Sequence, residues 1–256
     1  MEGSETIIFD SHCHLDRFPK ETKVRELIER AETTGVKYFF VPGVTGFPAR
    51  IGELAEFPQI ITGWGVHPGY TEDFHENCCE EMAIALKASV CRAIGECGLD
   101  RRFRVKFEKQ LAAFQWQIDL ARESGLPLVL HLVGHYDVAL KMLKQAGPKL
   151  KFVLHSFCGS YEVASQFLEL DAYISFSGSI FKKNHDDIDR ILNLVPENRL
   201  LIETDSPDQK PDFCPGKLNE PINLPEIARR LAAVRGISFE ELCSVTLKNC
   251  RILFMP

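Results

Sequence analysis

His12-Cys13-His14 is the first place in this chain where residue type and spacing suggest chemistry. In extended backbone, side chains two apart share a face, so both imidazoles point one way and Cys13 the other; a helix would part them. A strand-borne His-x-His is a ready bidentate pair for one metal ion, and imidazole suits Zn, Fe, Mn, Co or Ni. Further along stand His67, Glu96, His131, His155 and Asp205. A carboxylate has two oxygens and can bridge two cations, which a neutral imidazole cannot, so Glu96 is the expected bridge. One ion would then be held by His12, His14, Asp205 and Glu96, the other by Glu96, His131 and His155. Two such ions about 3.5–4 Å apart activate a water and stabilise both the attacking and the leaving oxygens of a phosphoryl displacement. Singly, each residue has an ordinary structural reading: His131 and His155 as core histidines, Glu96 as half of a salt bridge, Asp205 as a helix cap before Ser206-Pro207. Their common placement favours ligands.

That placement comes from the elements that carry them. Short β-rich runs recur at Ile7–Asp10, Tyr38–Val41, Ile60–Gly65, Cys91–Glu96, Pro127–Leu130, Lys151–Leu154, Ala172–Phe176 and Arg199–Ile202. Between them lie stretches with apolar residues at three- and four-residue intervals, such as Glu21–Thr34, Phe107–Ser124, Asp137–Gln145, Tyr161–Leu170 and Asp186–Leu194. Strand alternating with helix predicts a parallel sheet. A doubly wound open sheet shares the alternation, but the expectation is one (β/α)₈ TIM-like barrel, with Leu224–Arg235 and Ser238–Phe254 as closing helices. His12 and His14 follow the first strand, His67 the third, Glu96 ends the fourth, and His131, His155 and Asp205 follow the fifth, sixth and eighth. All lie at carboxyl ends of strands, the face on which barrel enzymes build their sites.

The composition sets the outer bounds. With 256 residues and no linker or low-complexity stretch, residues 1–256 read as a single domain. Thirty Lys+Arg against 36 Asp+Glu give a net charge of −6, which excludes nucleic-acid coating by bulk electrostatics and leaves any phosphate chemistry to local groups. The nine cysteines are an odd number without Cys-x-x-Cys spacing, so reduced thiols are expected rather than a disulfide scaffold or a thiolate zinc site. No apolar run approaches a membrane span, and the acidic start lacks the features of a signal peptide, which predicts the cytoplasm.

Six segments in order resemble the TatD family of metal-dependent hydrolases and deoxyribonucleases. They are Asp10-Ser11-His12-Cys13-His14-Leu15-Asp16, Gly65-Val66-His67-Pro68, Ile94-Gly95-Glu96-Cys97-Gly98-Leu99-Asp100, Leu126-Pro127-Leu128-Val129-Leu130-His131, Leu154-His155-Ser156-Phe157-Cys158-Gly159 and Leu201-Ile202-Glu203-Thr204-Asp205-Ser206-Pro207. Asn219-Glu220-Pro221 and Leu247-Lys248-Asn249 also look like family signatures. The resemblance implies a (β/α)₈ barrel with two divalent ions (Zn, Mn, Mg, Fe or Co) that hydrolyses phosphodiesters, commonly of DNA, through a water activated by the metals. His12, His14, Glu96, His131, His155 and Asp205 match its ligands, with Asp205 close to the nucleophilic water. Glu203 matches a nearby acidic position; two before Asp205, it could share its face and orient it, or assist proton transfer. His67 matches a position near the substrate phosphate.

Two departures bear on the substrate. Many family members follow the fifth-strand His with Ser-Arg, whereas here His131 is followed by Leu132-Val133-Gly134-His135, so that phosphate-clamping cation is missing. Arg101 replaces an aromatic residue often found after Gly-Leu-Asp, and Arg101, Arg102, Arg104, Lys182, Lys183 and Lys210 lie in loops on the catalytic face. DNA or a short oligonucleotide is the expected substrate, with Arg101 and His67 as its contacts and no obligatory protein partner. The alternatives are a metal-dependent hydrolase of carbon–nitrogen or ester bonds and, outside enzymes, a metal-binding barrel acting as a binding module.

Overall fold

In the computed structural model, which describes residues 6–74, 80, 91–182 and 188–255, eight parallel strands follow one another around a nearly closed barrel. They are β1 (Ile8–Asp10), β2 (Val36–Val41), β4 (Ile60–Val66), β5 (Cys91–Asp100), β6 (Leu128–Val133), β7 (Phe152–Leu154), β8 (Tyr173–Phe176) and β9 (Leu200–Ile202). Each matches an expected run to within a few residues. The ring's two ends meet through backbone bonds beyond the strands: Ser11 N–H donates to Ile202 O (3.1 Å), and Asp205 N–H donates to His12 O (2.9 Å).

Two apolar layers result. One residue from each strand faces inward: Phe9, Phe40, Ile61, Ala93, Val129, Val153, Tyr173 and Leu201. Their neighbours, such as Leu128 and Leu130, face outward against the helices. Both faces are therefore covered, which explains runs as apolar as Leu128-Val129-Leu130. The helix α1 (Val24–Glu32) presents Val24, Leu27, Ile28 and Ala31 to this outer layer, a helical stripe. The helix α3 (Phe107–Ser124) stops at Gly125, whose φ of 73° suits a residue without a Cβ.

The amino end of the barrel is plugged by the closing helices α7 (Leu224–Arg235) and α8 (Phe239–Phe254). Cys250, Leu253 and Phe254 join the inner layer, and Phe254 stacks on Phe40 with ring centroids 4.3 Å apart. Phe254→Ala is expected to cost about 3–5 kcal/mol by leaving a buried cavity. A urea melt checks this, and a loss below about 1 kcal/mol would show that the plug is dispensable.

Two elements carry no periodic signal and were not expected: a two-residue strand β3 (Thr45–Gly46) antiparallel to β4, and a single-turn helix α2 (Ile51–Leu54). The strand carrying Glu96 also runs on to Asp100, so Glu96 lies within it rather than at its end. Of the helix expected over Asp186–Leu194, the structure describes α6 (Ile188–Leu194); the remaining two are α4 (Tyr136–Ala146) and α5 (Tyr161–Leu168). Asp186, Lys183, Cys78 and Cys79 lie outside the described residues. No helix among the described residues is long and apolar enough to cross a membrane.

Candidate metal centre

Strand parity carries the barrel interior upward into the site. Two residues beyond inward-facing Val129, Val153 and Leu201 come His131, His155 and Glu203, so the same alternation that builds the apolar layer points them to the barrel axis. Glu96 arrives by another route. From Ile94 to Cys97, β5 advances three residues while its partner β6 advances two, from Leu128 to Leu130. This bulge re-aims the side chain. Gly95 and Gly98, with φ of 144° and 138°, sit so close to the backbone of β6 that a Cβ would collide with it.

The two oxygens of Glu96 face two different donor groups. Oε2 lies 3.5 Å from His12 Nε2 and 3.3 Å from His14 Nε2. These nitrogens are 3.2 Å apart, and each is 3.7 Å from Asp205 Oδ1. For metal–ligand bonds near 2.1 Å, the edge of a tetrahedron is about 3.4 Å, so these five separations are close to those of donor atoms around one ion. Oε1 lies 2.7 Å from His131 Nδ1 and 3.0 Å from His155 Nε2, and those nitrogens are 3.1 Å apart.

The outer partners decide which nitrogens are bare. His131 Nε2 donates to Asp100 Oδ2 (2.8 Å), and His155 Nδ1 donates to Glu203 Oε1 (3.2 Å). The opposite nitrogen of each ring then presents a lone pair toward Glu96 Oε1. Three acceptors converging within about 3 Å repel one another unless a proton or cation sits among them. The electrostatics agree. Burial alone would push the His155 pKa down, yet Glu96 and Glu203 draw it well above the ordinary histidine value. Burial opposes ionisation of Glu96, but His155 and His67 hold its carboxyl well below the usual range. At Asp205 burial wins over His155, His12 and His14, and its pKa is raised. The cluster thus demands positive charge, and imidazole and carboxylate donors in this arrangement fit divalent metal ions.

Glu203 is fully buried and takes its hydrogen bonds from His155 and from Ser11 Oγ (3.5 Å). It does not share a face with Asp205, because the chain leaves extended geometry after β9 and Asp205 adopts a φ of 56°. His67 Nδ1 accepts from Gly69 N–H (3.0 Å), leaving Nε2 toward the cavity, 3.7 Å from Glu96 Oε1. Burial pushes its pKa down to about 3, so it is a neutral donor.

Two carboxylates of the motif segments, Asp100 and Asp10, play supporting parts that spacing does not reveal. Asp100 receives Arg102 through Nε and Nη2 (3.0 and 2.6 Å) and orients His131. Burial would raise its pKa, but His131 and Arg102 hold it well below the usual carboxylate range. Asp10 accepts from the Thr204 hydroxyl (2.6 Å) and amide (2.9 Å), fastening the chain after β9 to β1 and thereby bringing Asp205 to His12 and His14. A buried carboxylate answered by long-range backbone donors leaves no signal in spacing.

A cavity of about 580 Å³ opens over the cluster, lined among others by His14, His67, Glu96, His131, His155 and Asp205. Of the expected cations, Arg102 lines it, whereas Arg101 is exposed with its side chain along Gly134. Lys210 Nζ donates to the carbonyls of Pro211 (3.1 Å) and Cys214 (2.7 Å). Arg17, not anticipated, is a second cation on the wall.

Barrel, cavity and buried donor cluster define a metal-dependent hydrolase, and similarity narrows the class. The family model described as TatD related DNase matches residues 9–255. The chain belongs to this family. It is 32% identical to a protein named as the uncharacterized metal-dependent hydrolase YabD of Bacillus subtilis, over 97% of this chain and 99% of that one. It is 31% identical to the 3'-5' ssDNA/RNA exonuclease TatD of Erwinia tasmaniensis, over 90% and 92%. The crystal structure of YjjV, a TatD homologue from Escherichia coli, superposes with a TM-score of 0.87 at 29% identity, covering 96% of this chain and 97% of that one.

Proposed function

We propose that the chain hydrolyses phosphodiester bonds of single-stranded nucleic acid, DNA above all, acting as one unit over residues 1–256. The observation that carries this is Glu96, whose two oxygens face two separate donor groups. His12, His14, Asp205 and Glu96 would hold one divalent ion, and Glu96, His131 and His155 a second. Bound there, the ions would supply Lewis-acid stabilisation of phosphoryl oxygens and lower the pKa of a water.

The protein's own groups do the rest. His67 Nε2–H faces the cavity and can donate to a phosphate oxygen. Arg102 uses its Nε and Nη2 edge on Asp100, leaving Nη1 for a second phosphate contact where the cation after His131 is missing. Asp205 lies against His12 and His14 on the cavity wall, placed to take the proton of the attacking water as the water oxygen bonds to phosphorus and to pass it to the leaving oxygen as the P–O ester bond breaks. Gln209 Nε2 donates to Asp205 Oδ2 and fixes that carboxylate. Glu203 keeps His155 in one tautomer. We assign the protein to the cytoplasm; all the described cysteines except Cys158 are buried thiols, which suits a reducing compartment.

With each candidate ion restored in turn, a single-stranded oligonucleotide should be cut faster than a panel of amides and lactones. Asp205→Asn should lower kcat about 10²–10⁴-fold with unchanged circular dichroism. Faster turnover of an amide or lactone favours the carbon–nitrogen or ester reading. Metal binding with no turnover of any substrate favours a binding module.

A further inference from the structure

We infer that the mouth of the cavity beside His67 is a nucleotide-stacking subsite, in which Phe103 and Tyr70 take the face of one base and Arg17 pairs with the adjoining phosphate. The inference deepens the phosphodiesterase reading and rests on it.

Only five large apolar side chains among the described residues are exposed, and two of them, Tyr70 at 37% and Phe103 at 41%, stand on this one rim. Single exposed apolar residues are ordinary; a pair at the entrance of a polar cavity is not. Both rings are held. Phe103 packs edgewise on His67 at 5.3 Å and Tyr70 at 6.0 Å. Gly69 lets the Phe103 ring lie on the backbone, since a Cβ there would stand 2.8 Å from it. Tyr70 is carried in by the turn after His67, its N–H donating to His67 O (2.9 Å). Arg17 reaches the same rim from the segment after β1, its Nη2 donating to Tyr70 Oη (3.2 Å).

The chemistry of this rim is aromatic faces beside a guanidinium, with the His67 ring packed behind them. Bases stack on such rings whatever their sequence, and a guanidinium pairs with phosphate. A stacked duplex offers no free base face, so the partner is an unpaired nucleotide next to the bond being cut.

The test compares an oligonucleotide with the same strand made abasic beside the scissile bond. The wild type should favour the base-bearing strand by about tenfold in KM, the size of one stacking contact. Phe103→Ala should erase that ratio and Phe103→Trp should keep it. For binding measured by fluorescence anisotropy, Arg17→Ala should make the dependence of log affinity on log salt shallower by about 0.7, one phosphate's worth on a single strand. An unchanged ratio in Phe103→Ala, or no preference in the wild type, overturns the subsite. If the wild type cuts neither strand, the phosphodiesterase reading fails; anisotropy with the same two strands and metal-free protein then decides the subsite independently.

Discussion

Glu96→Gln is expected to lower kcat by roughly a thousandfold or more while leaving the barrel folded. The substitution preserves volume, so β5 and its bulge keep their packing. An amide has one oxygen and one nitrogen with two protons, and can no longer offer a lone pair to both donor groups. In one amide orientation the NH₂ takes the place of Oε1 and donates to His131 Nδ1 and His155 Nε2, the bare nitrogens now 2.7 and 3.0 Å from that oxygen. The metal-free protein should therefore be as stable as the wild type or more so, while the metal content falls by at least one equivalent. Elemental analysis after purification without chelator, with a thermal melt and a turnover assay on the same sample, reads all three quantities. Wild-type activity with wild-type metal content in this variant would remove Glu96 from the centre.

Stripping metal with a strong chelator should stop turnover entirely and lower the melting temperature. The converging acceptors around Glu96 repel one another in the absence of positive charge, and an ion bound only by the folded chain stabilises it by mass action. At a free ion concentration about a hundred times Kd that amounts to about 2.7 kcal/mol. For a chain of this length, each kcal/mol moves the midpoint by about 2–4 °C, so a fall of about 5–10 °C is expected. Restoring a divalent ion should recover both quantities, and in Glu96→Gln the chelator's effect on the midpoint should shrink. Full turnover in excess chelator with no thermal shift would exclude a metal-dependent mechanism.

Much of the cluster was legible because its residues obey local rules. His12 and His14 share a face through extended spacing, and their Nε2 atoms do meet, 3.2 Å apart. His131 and His155 follow inward-facing Val129 and Val153 by two, a relation that alternation alone imposes. The same rule misleads where the strand ends. Glu203 and Asp205 are two apart, but the positive φ of Asp205 breaks the alternation, and Glu203 turns to His155 instead.

The cationic wall shows the other limit. Arg101 and Arg102 are adjacent, and no one-dimensional feature tells which faces the cavity. Asp100 decides it by drawing the Arg102 guanidinium to the His131 side while Arg101 lies along Gly134. Arg17 comes from a segment far away in the chain, and its place on the wall depends on how the loops after β1 and β4 pack.

What the sequence determined by itself was the alternation of strand and helix, the strand ends at which the ligand types sit, and the family motifs in their order. These are properties of spacing, and the period of a strand or helix is set by its own backbone. Tertiary structure alone decided how Glu96, expected as the bridge, is turned by the bulge toward both donor groups, that Asp100 and Glu203 choose the bare nitrogens of His131 and His155, and that Asp10 draws the two ends of the ring together. Those outcomes depend on the bulge against β6 and on hydrogen bonds between residues as distant as Asp10 and Thr204. Such contacts exist only once the barrel has closed.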